Sequence, residues 1–320
     1  MISLDGPDNK SVHGANAILA VSLAVARAGA EASGMSLFRY IGGLSTYRIP
    51  APSATVIAGG KYSPSDLDFE DYLYVLHGFD SFMDSMEALV ACFYRLKENI
   101  HKKYGPVPSV GGGALAPPLN NNEEALDLMM EAVSFFGLDG KVGIGLDIVG
   151  GELCSSSPSF FDINKKSLAA DQYIEYLAKL VDDYPMVFLE DPFGEDDFEM
   201  FSNLTSRIGR KVKIVGDDLF VTNMDRLRLG IAKSSGNSLL LKMNQIGSLS
   251  EAIAAGRLAA GSNFEVIVSV RSSESNDDFA SDLAVALGAD LIKIGAPVSG
   301  EKIAKYNRLI EIESELAARF

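Results

Sequence analysis

Six short apolar runs recur through the chain, each closing on, or just ahead of, a polar or charged side chain. They are "VGIGLD" (Val142–Asp147), "MVFLED" (Met186–Asp191), "VKIVGDD" (Val212–Asp218), "SLLLK" (Ser238–Lys242), "EVIVSV" (Glu265–Val270) and "LIKIGAP" (Leu291–Pro297). Near-continuous β-branched residues and leucines suit strands buried on both faces, which is the condition of a parallel sheet. Amphipathic stretches of helical length separate the runs, at Ala170–Asp183, Asn223–Lys233, Ser248–Ala260 and Asp277–Leu287. Strand and helix alternating with short links predict βα units. Two earlier strands are predicted near Ala54–Ala58 and Asp68–Leu76, followed by helices near Phe82–Lys103 and Asn122–Phe136. Eight strands favour a closed β/α barrel over an open doubly wound sheet. The region before Thr46 lies outside this rhythm and reads as helical.

The charge balance narrows the partners. Against 28 basic residues stand 43 acidic ones, for a net charge of −15. Such a surface repels phosphate backbones and anionic lipid, so neither nucleic acid nor membrane is an expected partner. Cys92 and Cys154 make no metal-ligand spacing and no disulfide framework, which suits two buried thiols in a reducing, cytoplasmic setting. The apolar run "ANAILAVSLAVARAGA" (Ala15–Ala30) is short for a bilayer span and carries Arg27. Asp5 and Asp8 precede it where a signal peptide needs basic residues. A tightly packed internal helix is the expectation.

The strand ends carry the chemistry. The carboxyl ends of barrel strands open onto one face, so Asp147, Glu190, Asp217, Asp218, Lys242, Arg271, Ser272 and Lys293 are expected to converge. One acidic residue at one strand end is usually a helix cap or a surface group; charged residues ending six strands need another explanation. An oxygen-rich group without cysteine or histidine suits Mg²⁺ rather than Zn²⁺. Two lysines and an arginine beside it would hold an anionic substrate and supply a base. A lysine among cations has its pKa pushed down, which helps it take a proton. A different stretch, "SVGGGALAPP" (Ser109–Pro118), looks at first like a phosphate cradle. A cradle needs a helix N-terminus immediately after the glycines, and here Pro117, Pro118 and "LNNN" intervene.

At this point the blocks become familiar. "LDGPDNKSVHGANAIL" resembles the enolase (phosphopyruvate hydratase) pattern LDGTxNKSxxGANAIL. "LEDPF", "VGDDL", "LLLKMNQIG", "IKIGAP" and "KYNRLIEIESEL" resemble its later blocks in the same order along nearly the whole chain. The resemblance implies an enolase-type TIM-like barrel, ββαα(βα)6, over residues 46–320, preceded by a helical remnant of an N-terminal domain over 1–45. It implies interconversion of 2-phosphoglycerate and phosphoenolpyruvate with Mg²⁺. By position, Asp147, Glu190 and Asp217 match the magnesium ligands and Lys242 the base that removes the α-proton. Lys293 matches a substrate-binding lysine, and Arg271 and Ser272 match residues that grip the phosphate.

Several family positions are changed. "VSHRS" is here "VSVRS", so Val270 stands for a histidine. "GGxHAGNxLxxQE" is here "GGKYSPSDLDFED", with Tyr62 for a second histidine, Glu70 for the glutamine and Asp71 for a glutamate that meets substrate. Thr55 and Ala58 replace two asparagines. The block "VGDEGGFAP", which carries the family's general acid, is here "SVGGGALAPP", and residues 105–121 hold no Asp or Glu. The family's N-terminal domain also supplies a serine-bearing lid and much of its dimer contact, and this chain begins late in that domain. The expectation is therefore an enolase-like protein with metal site and base retained and dehydration weak or absent. The alternatives are an active phosphopyruvate hydratase and a non-catalytic partner of an intact enolase, as homodimer or heterodimer. A glutamate placed at Gly112 is expected to raise dehydration if the missing acid is the main defect.

Overall fold

A computed structural model describes residues 1–6, 9–44, 47–154 and 160–318, without the Tyr62 side chain. The predicted boundary between residues 45 and 46 and the reading of Tyr62 as a substitute side chain lie outside that description.

Eight strands close into a barrel: β1 Ala51–Ala58, β2 Asp71–Leu76, β3 Val142–Asp147, β4 Met186–Glu190, β5 Lys213–Gly216, β6 Ser238–Leu241, β7 Glu265–Ser269 and β8 Leu291–Lys293. Parallel pairing of β8 with β1 seals it, with Ser53 opposite Lys293. The strand β2 runs antiparallel to both β1 and β3. Its first residue, Asp71, therefore lies at the mouth that the other strands reach with their last residues, in register with Asp147. Two helices, Phe82–Tyr104 and Asn122–Phe135, separate β2 from β3, and one long helix follows each later strand, preceded by a one-turn helix after β3 (Gly150–Leu153) and after β6 (Met243–Ile246). This is the predicted ββαα(βα)6 order.

Local chemistry places the helices. Ser81, Asn121, Asn223 and Ser248 each accept a hydrogen bond from a backbone N–H in the first turn that follows. Caps of this kind contribute about 1 kcal/mol each. The barrel interior is plugged by Leu73, Val75, Phe188, Val215, Leu240, Ile267 and Leu291, all buried. Phe188 needs room that only glycine leaves: a Cβ on Gly145 would lie 2.3 Å from its ring. The glycine inside "VGIGLD" is thus a packing choice, since the strand around it is wholly buried.

Two hairpins escape the sequence pattern. Ser109–Val110 pairs with Ala114–Leu115 around the glycines, and Phe160–Ile163 pairs with Lys166–Ala169. The first is too short to show a period. The second turns at Asn164 and Lys165, both at positive φ (50° and 63°), without the Asn-Gly signature of such turns. The helix Ala15–Ala32 corrects an expectation: only Ile18, Ala26 and Ala30 are buried, and Val21 and Val25 are exposed. Its contact stripe is narrow, because small residues let it lie close to its neighbours while the other face stays open. By length and composition alone it is long and apolar enough to cross a membrane. Cys92 is buried, and burial pushes its thiol up to about 11, whereas Cys154 is only half-buried.

Candidate active site

Five charged side chains meet, buried, at the carboxyl ends of the strands. Asp147 ends β3, Glu190 ends β4, Asp217 follows β5, Lys242 follows β6 and Lys293 ends β8. Each emerges from a run that is buried almost throughout, so its head group has nowhere to go but the barrel mouth. The Lys293 ammonium donates to Asp147 Oδ2 and Glu190 Oε2, both at 2.6 Å, and lies 4.0 Å from Asp71 Oδ2. Lys242 donates to Asp217 Oδ2, whose other oxygen accepts from Gln245 Nε2 at 2.6 Å. Thr222 Oγ1 accepts the Lys242 backbone N–H at 2.9 Å and donates to Gln245, which fixes this corner. Lys242 is expected among cations; its contact is instead the Asp217 carboxylate.

The balance of charge is the main electrostatic fact. Asp71, Asp147, Glu190 and Asp217 face only two ammonium groups, and Glu190 Oε1 is buried with no hydrogen-bond partner among the described residues. Burial, and then the charge of Asp147, push Glu190 well above the usual carboxylate range. Burial also acts on Asp147, but Lys293 and Lys242 outweigh it and hold that carboxyl below its ordinary value. Asp71 is pushed up to about 6 by burial, with Lys293 opposing. Glu70 rises to about 7, through burial and then the nearby Asp147. Burial disfavours the Lys293 ammonium, yet Asp147 and Glu190 keep its pKa well above the usual one. An excess of carboxylate oxygens, one of them orphaned, fits a hard divalent cation such as Mg²⁺.

Arg271 and Ser272 reach the rim rather than the carboxylate cluster. Both are exposed; Arg271 Nε donates to Asn244 Oδ1 at 3.2 Å, and its backbone N–H donates to Glu274. A second acidic group was not foreseen in full. Asp191, Asp217 and Asp218 bring one carboxylate oxygen each within 4.8 Å of one another. Its sequence signal was the Asp that follows Glu190 in "LEDPF". Both Asp191 oxygens are engaged, however, accepting the backbone N–H groups of Asp217 (3.0 Å) and Asp218 (2.6 Å). Asp191 therefore shapes the turn that presents Asp217.

The glycine stretch forms the tip of its short hairpin beside Ser272 and Lys302. A Cβ at Gly112 would lie 2.2 Å from Lys302 Cε. A glutamate at position 112 therefore requires the end of the Lys302 side chain to shift. Val270 presents an apolar, half-buried side chain, and Thr55 donates to Asp71 Oδ2 at 3.1 Å.

With this geometry in place, likeness to known proteins decides the family. The pattern of the enolase C-terminal TIM barrel domain matches residues 46–320, and that of the enolase N-terminal domain matches residues 1–41. This chain belongs to the enolase family. It is 46% identical to the enolase of Methanopyrus kandleri, across 99% of this chain and 75% of that one. Likeness to the enolase of Methanocaldococcus jannaschii is 45%, across 99% and 74%. Enolases as a family act on phosphorylated carboxylic acids and generally use Mg²⁺. The glycine hairpin of this chain borders the cavity at the strand ends and holds no carboxyl group.

Proposed function

We propose that this enolase-family chain binds Mg²⁺ and a 2-phosphoglycerate-like acid, removes the α-proton with Lys242, and completes dehydration slowly. The observation that supports it best is the buried oxygen cluster of Asp147, Glu190 and Asp217, with its orphaned Glu190 oxygen, set beside two lysines. These three carboxylates would hold the metal. When bound, the cation would stabilise negative charge on the substrate carboxylate.

Lys242 is the base on this reading. As the free amine, after giving up to solvent the proton it donates to Asp217, Lys242 would accept the α-proton at Nζ. Lys293, which ends β8 beside Asp147 and Glu190, would offer its ammonium to an anionic substrate oxygen. Arg271 and Ser272 would hold the phosphate at the rim, where Arg271 presents planar donors suited to it. Asp71, pinned by Thr55, stands beside Lys293 and would border the substrate.

Departure of hydroxide needs a proton. Among the described residues that line the cavity at the glycine hairpin, Asp71 is the single carboxylic acid. With no acid on the hairpin and no imidazole at Val270, the second half of the reaction is under-equipped. General acid catalysis contributes about 10²–10⁴-fold. The acidic composition and free thiols suit the cytoplasm.

Calorimetric titration with phosphoenolpyruvate tests the binding half of the reading. Saturable binding is expected with Mg²⁺ and loss of it with excess chelator; equal binding in both conditions would contradict a metal-assisted site.

A further inference from the structure

Lys302 is a charged side chain in an unusual position. It is 1% exposed, and its ammonium makes one hydrogen bond, to the Arg271 backbone oxygen at 2.6 Å. An ammonium carries three donors. No carboxylate lies within ion-pair distance of it among the described residues, and the neighbouring Glu274 pairs with Lys305 instead. A buried charge without a counter-charge is costly.

Glu274, Glu301 and Asp71 act on it only from beyond ion-pair distance, and the surroundings also supply room. A cavity of about 50 Å³ lies between the glycine hairpin and the strand ends, lined among others by Asp71, Gly112, Arg271, Ser272, Lys293 and Lys302. One water needs about 10–15 Å³ of such space, so the cavity can take several waters or one small polyatomic group. Its charged lining is three cations against one carboxylate. The hairpin and Lys302 form a matched pair, because the absent side chain at Gly112 is what leaves space for the lysine stem.

We propose that Lys302 is an anion-binding side chain of this site, and that the cavity seats a phosphate or carboxylate group of the ligand against the Lys302 ammonium. The hairpin then faces the ligand with a cation. The inference rests on reading Arg271 and Ser272 as the phosphate end of the site, yet its test needs no turnover. Burial lowers the Lys302 pKa when nothing is bound, consistent with a charge that lacks its partner. A charge-assisted contact of this kind is strong enough for its loss to be read in a titration.

Inorganic phosphate and acetate, each titrated at constant ionic strength in chloride, are the probes. Wild-type protein is expected to bind one or both, the tighter of them marking a phosphate or a carboxylate seat. Lys302→Met is expected to weaken that binding roughly 10–100-fold. In anion-free buffer its melting temperature should equal or exceed that of wild type, because a buried unpaired charge has been removed. Lys302→Gln keeps a donor for the Arg271 carbonyl and removes the charge, so it decides the matter if the methionine variant fails to fold. Binding within twofold of wild type in the folded variant would overturn the proposal. If Arg271→Gln alone weakens binding, the phosphate end of the site stands and Lys302 is no part of it. If wild type binds neither anion, both readings fall.

Discussion

Replacing Lys242 by methionine is expected to slow solvent exchange of the α-proton of 2-phosphoglycerate by about 10²–10⁴-fold. The reason is positional. Lys242 is the residue that β6 delivers into the buried cluster, and its Nζ is held on Asp217, one of the three carboxylates assigned to the metal. Methionine keeps the length of the stem and removes the only proton-accepting atom. Exchange in heavy water, followed by loss of the α-proton signal, reads this step without requiring hydroxide to leave. An unchanged exchange rate would place the base elsewhere.

Lys293→Met should act first on stability. Lys293 neutralises Asp147 and Glu190 at 2.6 Å each, in a region where Glu190 has no exposure at all. Removing one partner of a buried ion pair costs about 3–5 kcal/mol, because the other charges stay buried. For a chain of this size that corresponds to a fall of roughly 4–7 °C in melting temperature. Added Mg²⁺ should stabilise the variant more than the wild type, since a bound cation would replace the missing ammonium. A melting temperature that stays at the wild-type value, or an equal response to Mg²⁺, would contradict the assignment of these carboxylates.

Much of this was legible because strands buried on both faces write themselves as unbroken apolar runs. Where such a run ends, the next polar residue is forced to the mouth of the barrel, and Asp147, Glu190, Lys242 and Lys293 were found this way. The direction of β2 carries no such mark; its antiparallel course brings Asp71 to the same mouth by its first residue rather than its last. Other features left no such mark. Lys242 and Asp217 follow adjacent parallel strands, yet spacing alone does not say which carboxylate of the cluster the lysine meets. Asp191 sits next to Glu190, yet its role is to hold backbone N–H groups from a different strand end. Lys302 lies in the first turn of the helix Gly300–Ala317, away from every strand end, and becomes notable only because the hairpin lies against it. The openness of Ala15–Ala32 likewise depends on which elements reach that helix, while its composition resembles a core helix.

The most direct test compares two rates in one wild-type sample with saturating Mg²⁺ and 2-phosphoglycerate: α-proton exchange and formation of phosphoenolpyruvate. Exchange outpacing net dehydration by about 100-fold or more is the predicted result, because Lys242 is assigned as the base and the hairpin holds no carboxyl group to act as acid. Dehydration keeping pace with exchange would contradict it.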